Sequence, residues 1–274
     1  PVTIAAGHVV TVDMDTPQMA SVSVATGGTL SFDGWDSELN ANTITVDGTL
    51  THATNTDKVG SDGWQPNARV NISCNNLTIT SEGKIDVVGK GFQGGETASQ
   101  ANGYGPGWGK GTLHRGGGGG YGNHGSGLVG GGYYAYGGDP YGSASKPDMP
   151  GSGGGSSGHA GSTGGAGGGL VQIYANGSVE ISGVVNANGA NAISLSGAGS
   201  GGGVYIQCAT IAGTGTITAN GGTTYVGGAG GRIAIDVADT AAQALLAPEF
   251  KFSSETSVAV GDDTYGHGSL YFTS

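Results

Sequence analysis

Charge is scarce in this chain, and positive charge is scarcer still. Of 274 residues only nine are Lys or Arg, against twenty Asp or Glu, a formal net charge of -11. No basic stripe exists to release counterions from a phosphate backbone, so nucleic acid is not an expected partner. Cysteine is nearly absent as well. Cys74 and Cys208 cannot make a disulfide framework and lack the CxxC spacing of a zinc site, so both read as buried thiols. No run of 18 apolar residues occurs, and membrane insertion is not expected. Helical patterning is missing except at residues 239–247, a turn or two before Pro248. The start lacks the charged-then-apolar layout of a signal peptide. Because strand-like residues begin at Val2, a leader removed upstream is the expected processing.

What the chain has is glycine, 61 residues of it, with an apolar fraction of only 36%. Backbone geometry rather than side-chain volume is being specified. From the start, apolar and polar residues alternate: Val2 and Ile4, Val10 and Val12, Val22 and Val24, Leu30 and Phe32, Ile44 and Val46. Period two with Val and Thr enrichment means short strands, and Gly7, Gly27, Gly28, Gly34 and Gly48 punctuate them as turns.

One pattern then recurs. Val70-Asn-Ile72-Ser-Cys74 leads to Gly83-Lys-Ile85-Asp-Val87-Val-Gly89. Val171-Gln-Ile173-Tyr-Ala175 leads to Gly183-Val-Val185-Asn-Ala187-Asn-Gly189, and Val204-Tyr-Ile206-Gln-Cys208 to Gly215-Thr-Ile217-Thr-Ala219-Asn-Gly221. A degenerate fourth start is Arg232-Ile-Ala-Ile-Asp236. Internal repetition of this kind is the signature of a solenoid. The sequence predicts an all-β fold, a right-handed parallel β-helix forming one domain over 1–274, with Cys74, Ala175 and Cys208 in one inward column. About 4.8 Å per coil would then keep the two thiols apart.

Between the first and second copies lies an insertion, residues 91–170, with 33 glycines and 8 of the 19 aromatic residues. A flexible linker has no use for those aromatics, so ordered loops are expected, with polyglycine II helices packed side by side as the candidate arrangement. Smaller glycine-rich inserts at 197–203 and 226–231 are expected to pack with it.

The opening Val2-Thr-Ile-Ala-Ala-Gly7-His8-Val-Val-Thr-Val12-Asp13, followed by Val22-Ser-Val24-Ala-Thr-Gly-Gly28-Thr-Leu30, resembles the first strands of β-helical domains on bacterial surface proteins. It is also similar to the start of the eight-glycine domain of some animal ectodomains. The runs ending at Gly169-Leu-Val171 and Gly231-Arg232-Ile look like the glycine-run-then-strand units of large bacterial surface proteins. Glycine-aromatic composition is likewise similar to phage tail-tip adhesins with a polyglycine sandwich, in which loops at the helix ends contact the receptor. An acidic, cysteine-poor, lysine-poor, glycine-rich composition suits a bacterial or viral exterior, so an extracellular location or a cell or virion surface is expected, and the resemblance to the adhesins carries over the idea of aromatic loops that meet a glycan or cell-surface receptor.

For binding, the candidates are Trp108, Tyr133, Tyr134, Tyr136 and Tyr141, whose faces can stack on sugar rings or else cover the glycine layers as a small core. For catalysis, Lys110, His114, Arg115 and Tyr121 supply the cation and base of a polysaccharide lyase, set against a reading as solvated loop residues. The acid pairs Asp13/Asp15, Asp33/Asp36 and Asp262/Asp263 could serve a glycoside hydrolase or hold structural Ca2+, but read more simply as turn acids. No cofactor is expected. Thr-x-Thr phrases at Thr43/Thr45, Thr49/Thr51, Thr78/Thr80 and Thr216/Thr218 could form an exposed ladder, although strand propensity alone explains them. The reading is a non-enzymatic structural or adhesive surface module, with a polysaccharide-active enzyme as the alternative. Uncapped strands at Val2 and Phe272 add the expectation of a homo-oligomer through the strand termini, in the limit a head-to-tail filament.

Overall fold

In the computed structural model the described residues are 1–96, 101–130, 133–246, 248–255 and 267–273, with the side chains of 128–130 and 133 left out. Before the glycine-rich stretch the chain forms β1 (Val2–Ile4), β2 (Val9–Val12), β3 (Met19–Val24), β4 (Thr29–Phe32), β5 (Leu39–Val46), β6 (Thr49–His52), β7 (Val70–Ile79) and β8 (Lys84–Asp86). Within that stretch lies an antiparallel hairpin, β9 (Leu128–Gly130) and β10 (Tyr133–Ala135). After it come β11 (Leu170–Ala175), β12 (Ser178–Ile181), β13 (Val184–Asn186), β14 (Gly203–Cys208), β15 (Thr210–Ala212) and β16 (Thr216–Thr218). The last elements are β17 (Arg232–Val237), the single helical turn α1 (Thr240–Gln243), β18 (Lys251–Ser253) and β19 (Ser269–Thr273).

These strands sort into two arrays. One runs β1-β3-β5-β7-β11-β14-β17-β19, with β12 against the second half of β7 and β15 against β12. The other runs β2-β4-β6-β8-β13-β16-β18. The chain alternates between the arrays, and every pairing within them is parallel to a strand from the previous circuit. The protein is thus all-β with almost no helix, in long parallel arrays compatible with a β-solenoid.

Register follows the alternation read from the sequence. Val171 lies between Val70 and Val204, and Val204 pairs on with Ile233. Ile173 likewise lies between Ile72 and Ile206, beside Ile235, and all of these side chains are fully buried. In the second array Leu30, Leu50, Ile85, Val185, Ile217 and Phe252 stack in one column. Each inward Ile, Leu or Val contributes about 1.5–3 kcal/mol by leaving water. Cys74 lies between Ala41 and Ala175, while Cys208 lies against Val237. Burial pushes both thiols up to about 12, so they are inert core groups. The Thr-x-Thr phrases fall on outward positions but make no continuous ladder. Thr45 and Thr78 are followed by Glu180, and Thr49 by Lys84.

A column of glycines turns the corner between the arrays. Thr49, Lys84, Val184, Thr216 and Lys251 each donate a backbone N–H to the glycine one circuit back: Gly28, Gly48, Gly83, Gly183 and Gly215. A Cβ on Gly83 would lie 1.9 Å from the Val46 carbonyl oxygen, and one on Gly183 would lie 2.1 Å from that of Gly83.

The glycine-rich runs bond in a different way. Gly197 and Ser200 donate to or across the run 152–155 (Gly155 and Ser152), Ala198 and Gly201 to Val226 and Ala229, and Gly199 and Gly202 to Ala190 and Ala187. Bonds thus repeat every third residue and point to three different neighbours. The run 164–168 does the same, with Gly164 and Gly167 on Gly95 and Phe92, and Gly165 and Gly168 on Gly197 and Ser200. The later inserts are part of this bundle, since Gly119 donates to Ala198 and Ala229 donates to Gly119.

His52 joins bundle and sheets. The Leu170 N–H donates to its Nε2 at 3.3 Å, so the ring proton sits on Nδ1 and is donated to the Ala53 carbonyl at 2.7 Å. Burial, opposed by the bond to Ala53 and aided by Lys90, lowers its pKa from 6.5 to about 4. An unfolded histidine binds a proton below 6.5, whereas the folded ring resists until about pH 4. The contribution is complete above pH 6.5 and is lost as the pH falls toward 4. Urea titrations across that window should show about 3 kcal/mol less stability at the acid end, a loss diminished in His52→Gln. An identical pH profile for the variant would refute this role.

The bundle makes its own prediction. A Cβ on Gly199 would lie 1.9 Å from the Ala166 carbonyl oxygen, whereas one on Gly161, at φ +76°, meets nothing within 4 Å. Gly199→Ala should cost about 3 kcal/mol or more by overpacking, and Gly161→Ala only about 1–2 kcal/mol of left-handed strain. Equal unfolding midpoints for the two variants would contradict this packing.

Candidate functional site

Antiparallel bonding between successive glycine runs defines where the turns lie. Gly117 and Gly120 bond back to Lys110 and Gly107, leaving 111–116 as a turn. Gly151 and Gly154 bond to Gly168 and Gly165, leaving 158–163, and Gly199 and Gly202 bond to Ala190 and Ala187, leaving 191–196. Gly125 bonds to Gly138, which places β9 and β10 beside 111–116, where the Lys110 N–H donates to the Tyr136 carbonyl. The turns meet at one end of the bundle. Thr112 bridges to Ser157 and Thr163 to Ile193, while Gly158 donates to Leu113 and Gly116 to Leu195.

At that end His114, Arg115, His159 and Leu195 line a pocket of about 210 Å3. The two imidazoles have centroids 6.4 Å apart, and the Arg115 guanidinium sits 4.1 Å from the centre of the Tyr225 ring. The turn is pinned by Thr112, whose hydroxyl accepts from the Arg115 N–H and donates to the Arg115 carbonyl, with the Tyr134 carbonyl 3.1 Å away. Tyr134 and Tyr136 stand beside it, each half exposed, their rings 11° from parallel with centroids 6.4 Å apart. The Lys110 ammonium lies 5.1 Å from the Tyr136 ring. Donors and aromatic faces together suit a ligand that carries hydroxyls or a carboxylate and one flat apolar side.

The structure divides the residues expected from sequence. It brings together Lys110, His114, Arg115, Tyr134 and Tyr136, and the Tyr133 side chain lies outside the described residues. Tyr121 is at the opposite end, beyond the extended run 116–120, which covers about 15 Å at 3.1 Å per residue. It is fully buried against Tyr141 (centroids 4.6 Å) and beneath Arg232, and burial raises its phenol well above the ordinary value. Tyr121 is therefore remote from His114 and sealed from any substrate. Tyr141 is also packed inside, its hydroxyl donating to the Pro150 carbonyl and accepting from Ser152, and burial raises its pKa too. Trp108 is partly exposed, and its backbone N–H donates to the Gly105 carbonyl, away from the tips. Asp13, Asp15, Asp33 and Asp36 are exposed, and Asp262 and Asp263 lie outside the described residues.

Sequence reading missed His159, Leu195 and Tyr225. Each sits in a short turn flanked by glycine runs, and that flanking was the available signal.

Residues 1–93 match the G8 domain family. The G8 match covers about a third of the chain and stops where the glycine-rich stretch begins, so the tip residues lie outside it. It takes in β1 to β8, the first four circuits of the two arrays. Comparison with curated proteins and with solved structures gives no match. Among the described residues no group of three His, Cys, Asp or Glu side chains is gathered for a metal, and no helix is long and apolar enough to cross a membrane.

Proposed function

We propose that the protein is a non-enzymatic adhesive module of a cell or virion exterior. In this reading a right-handed β-solenoid supports a sandwich of polyglycine II helices, and the turns at the far end of that sandwich contact a glycan or other cell-surface receptor. The single observation that carries it is the convergence of turns 111–116, 158–163 and 191–196 with strands β9 and β10 at one end of a tightly bonded bundle, presenting Tyr134, Tyr136, Arg115 and His159. The three-residue hydrogen-bond period supports the polyglycine assignment, since polyproline-type helices have three residues per turn. Likeness to bacterial surface proteins and tail-tip adhesins agrees with it. The alternative, a polysaccharide lyase or glycoside hydrolase, is weakened by the seclusion of Tyr121, although His114, His159 and Arg115 still share a pocket.

Glycan-array binding, run beside an assay for unsaturated or reducing sugar products, tests the reading. Expected is binding without turnover, reduced about tenfold or more in Tyr134→Ala/Tyr136→Ala, because the double variant removes both exposed aromatic faces on which a sugar ring can lie. Product formation abolished by His114→Ala would overturn it in favour of the enzyme.

Assembly belongs to the same reading. Val9, Val10 and Met14 at one edge of the arrays, and Leu270, Tyr271 and Phe272 at the other, are exposed apolar side chains beside open strand edges, which natural proteins ordinarily pair or cover. Light scattering of the full chain should report oligomers that Val9→Lys/Val10→Lys dissociates. A monomer at high concentration would remove self-assembly from the reading without touching receptor binding.

A further inference from the structure

A second surface, on the flank of the molecule, has the features of a binding groove. Two outward positions of the repeated unit stack from circuit to circuit on the strands of the second array. In the first row Asn186 lies between Asp86 and Thr218, with Ser253 next. Two residues further on, the second row runs Val88, Asn188, Asn220, Glu255, tied by backbone bonds from Gly89 to Asn188, Gly189 to Asn220 and Gly221 to Glu255. At about 4.8 Å per circuit the second row spans roughly 14 Å. The second row and Asn186 of the first line a groove of about 360 Å3, with Asn191 and Thr223.

The orientation of the amides is fixed by what they bind. The Asn188 Oδ1 accepts from the Asn220 backbone N–H at 2.6 Å. The Asn220 Oδ1 accepts from the Glu255 N–H at 2.8 Å and from the Ser253 hydroxyl at 2.7 Å. The Asn191 Oδ1 accepts from the N–H and hydroxyl of Thr223, at 2.7 and 2.9 Å. The Asn186 Oδ1 accepts from the Asn188 N–H and the Thr218 hydroxyl, both at 3.2 Å. A backbone N–H can only donate, so in each case the oxygen is turned to the protein. Among the described residues none of the four Nδ2 groups makes a hydrogen bond within the protein. Eight N–H donors are thereby left along one groove.

The fold alone does not require amides here. An aspartate would hold the same backbone N–H groups, as the Asp86 oxygen 3.4 Å from the Val88 N–H illustrates. What asparagine adds is an outward donor without charge. Glu255 supplies an acceptor at one end of the row, and Val88, 39% exposed, an apolar patch at the other. Such a lining suits hydroxyl oxygens that accept from the amides, a hydroxyl that donates to the carboxylate and a C–H face laid on Val88. An anionic ligand would meet Glu255 and the net charge of -11.

The geometry points to a binding groove for a neutral, linear oligosaccharide along Val88, Asn188, Asn220 and Glu255, separate from the tip surface. Asn191, at the start of the tip turn 191–196, also borders the groove, but Asn188 and Asn220 lie outside the tip turns, so the groove can be tested without altering the tips.

The test is calorimetric titration of the full chain with neutral linear hexasaccharides of glucan, mannan, galactan and xylan type. The decisive variant is Asn188→Asp/Asn220→Asp, which keeps both inward oxygens and removes two outward amide groups, four of the eight N–H donors; its urea midpoint confirms folding. Binding of at least one panel member, weakened about tenfold or more in this variant and unchanged in Tyr134→Ala/Tyr136→Ala, is the expected result. Wild-type strength in the aspartate variant overturns the groove, as does loss only in the tyrosine variant, which assigns binding to the tips. Failure of the wild-type chain to bind any panel member at millimolar concentration overturns it as well.

Discussion

How closely backbones can approach where a side chain is missing decides the rest of this structure. In a β-sheet each strand bonds to neighbours on two sides, and Cβ atoms project freely above and below. In the glycine bundle a run such as 197–202 bonds to three neighbours in turn, and at Gly197, Gly199, Gly201 and Gly202 the space a Cβ would take is filled by backbone, with room only for the small side chains of Ala198 and Ser200. One added to Gly117 or Gly116 would lie 1.7 Å from a carbonyl oxygen. Glycine loses the most conformational freedom on folding, so this arrangement holds only because nearly every N–H and C=O finds a partner at normal length. Substituting one residue does not remove one contact; it separates two backbones and strands the bonds between them.

The sheets solve a problem that the bundle cannot solve alone. Extended glycine helices have no apolar side chains to bury, so position and register come from the circuits to which they are joined. Gly202 bonds to Ala187 and Gly231 to Ala219, both immediately after strands of the second array, and Leu170 is fastened to His52 where the long excursion returns. The proximal end is closed by Arg232 on β17, which is almost fully buried, donates to the carbonyls of Tyr121 and Tyr141 and lies over the Tyr121 ring. A buried arginine is tolerable there because carbonyl dipoles and an aromatic face replace its water. These attachments hold the proximal end, and the variable chemistry is left to the distal turns.

Local patterns in the sequence were sufficient for the sheets. The copies beginning at Val70, Val171 and Val204 specify both the inward columns and, through Gly83, Gly183 and Gly215, the corner that brings each circuit onto the next. The position of Tyr121 was not legible, because a tyrosine after five glycines looks the same whether it ends a run at a sealed base or at an open tip. His159, Leu195 and Tyr225 were missed for a related reason. Each is 44 or more residues from His114 or Arg115, and only the antiparallel bonding of the runs brings them together. The asparagines of the Asn-Ala-Asn-Gly189 and Ala-Asn-Gly221 phrases were visible as part of the repeat. Their use was not, since the direction of an amide depends on a backbone N–H one circuit away.

This division has a chemical consequence. General acid-base catalysis needs several side chains within hydrogen-bond reach of one reacting atom, held by packing on more than one side. Glycine runs supply no such packing, and the basic and aromatic groups presented at the tips, Arg115, His159, Tyr134 and Tyr136, stand on turns and on the short hairpin. They can meet a ligand from one side only, each contact contributing a modest amount. On the proposed adhesive reading, binding would strengthen by extent, through several tips or several circuits engaging the same polymer, because contacts joined on one rigid support reinforce one another through effective concentration. A molecule that spends 61 residues on backbone proximity is suited to holding many weak contacts in fixed relation over a broad surface.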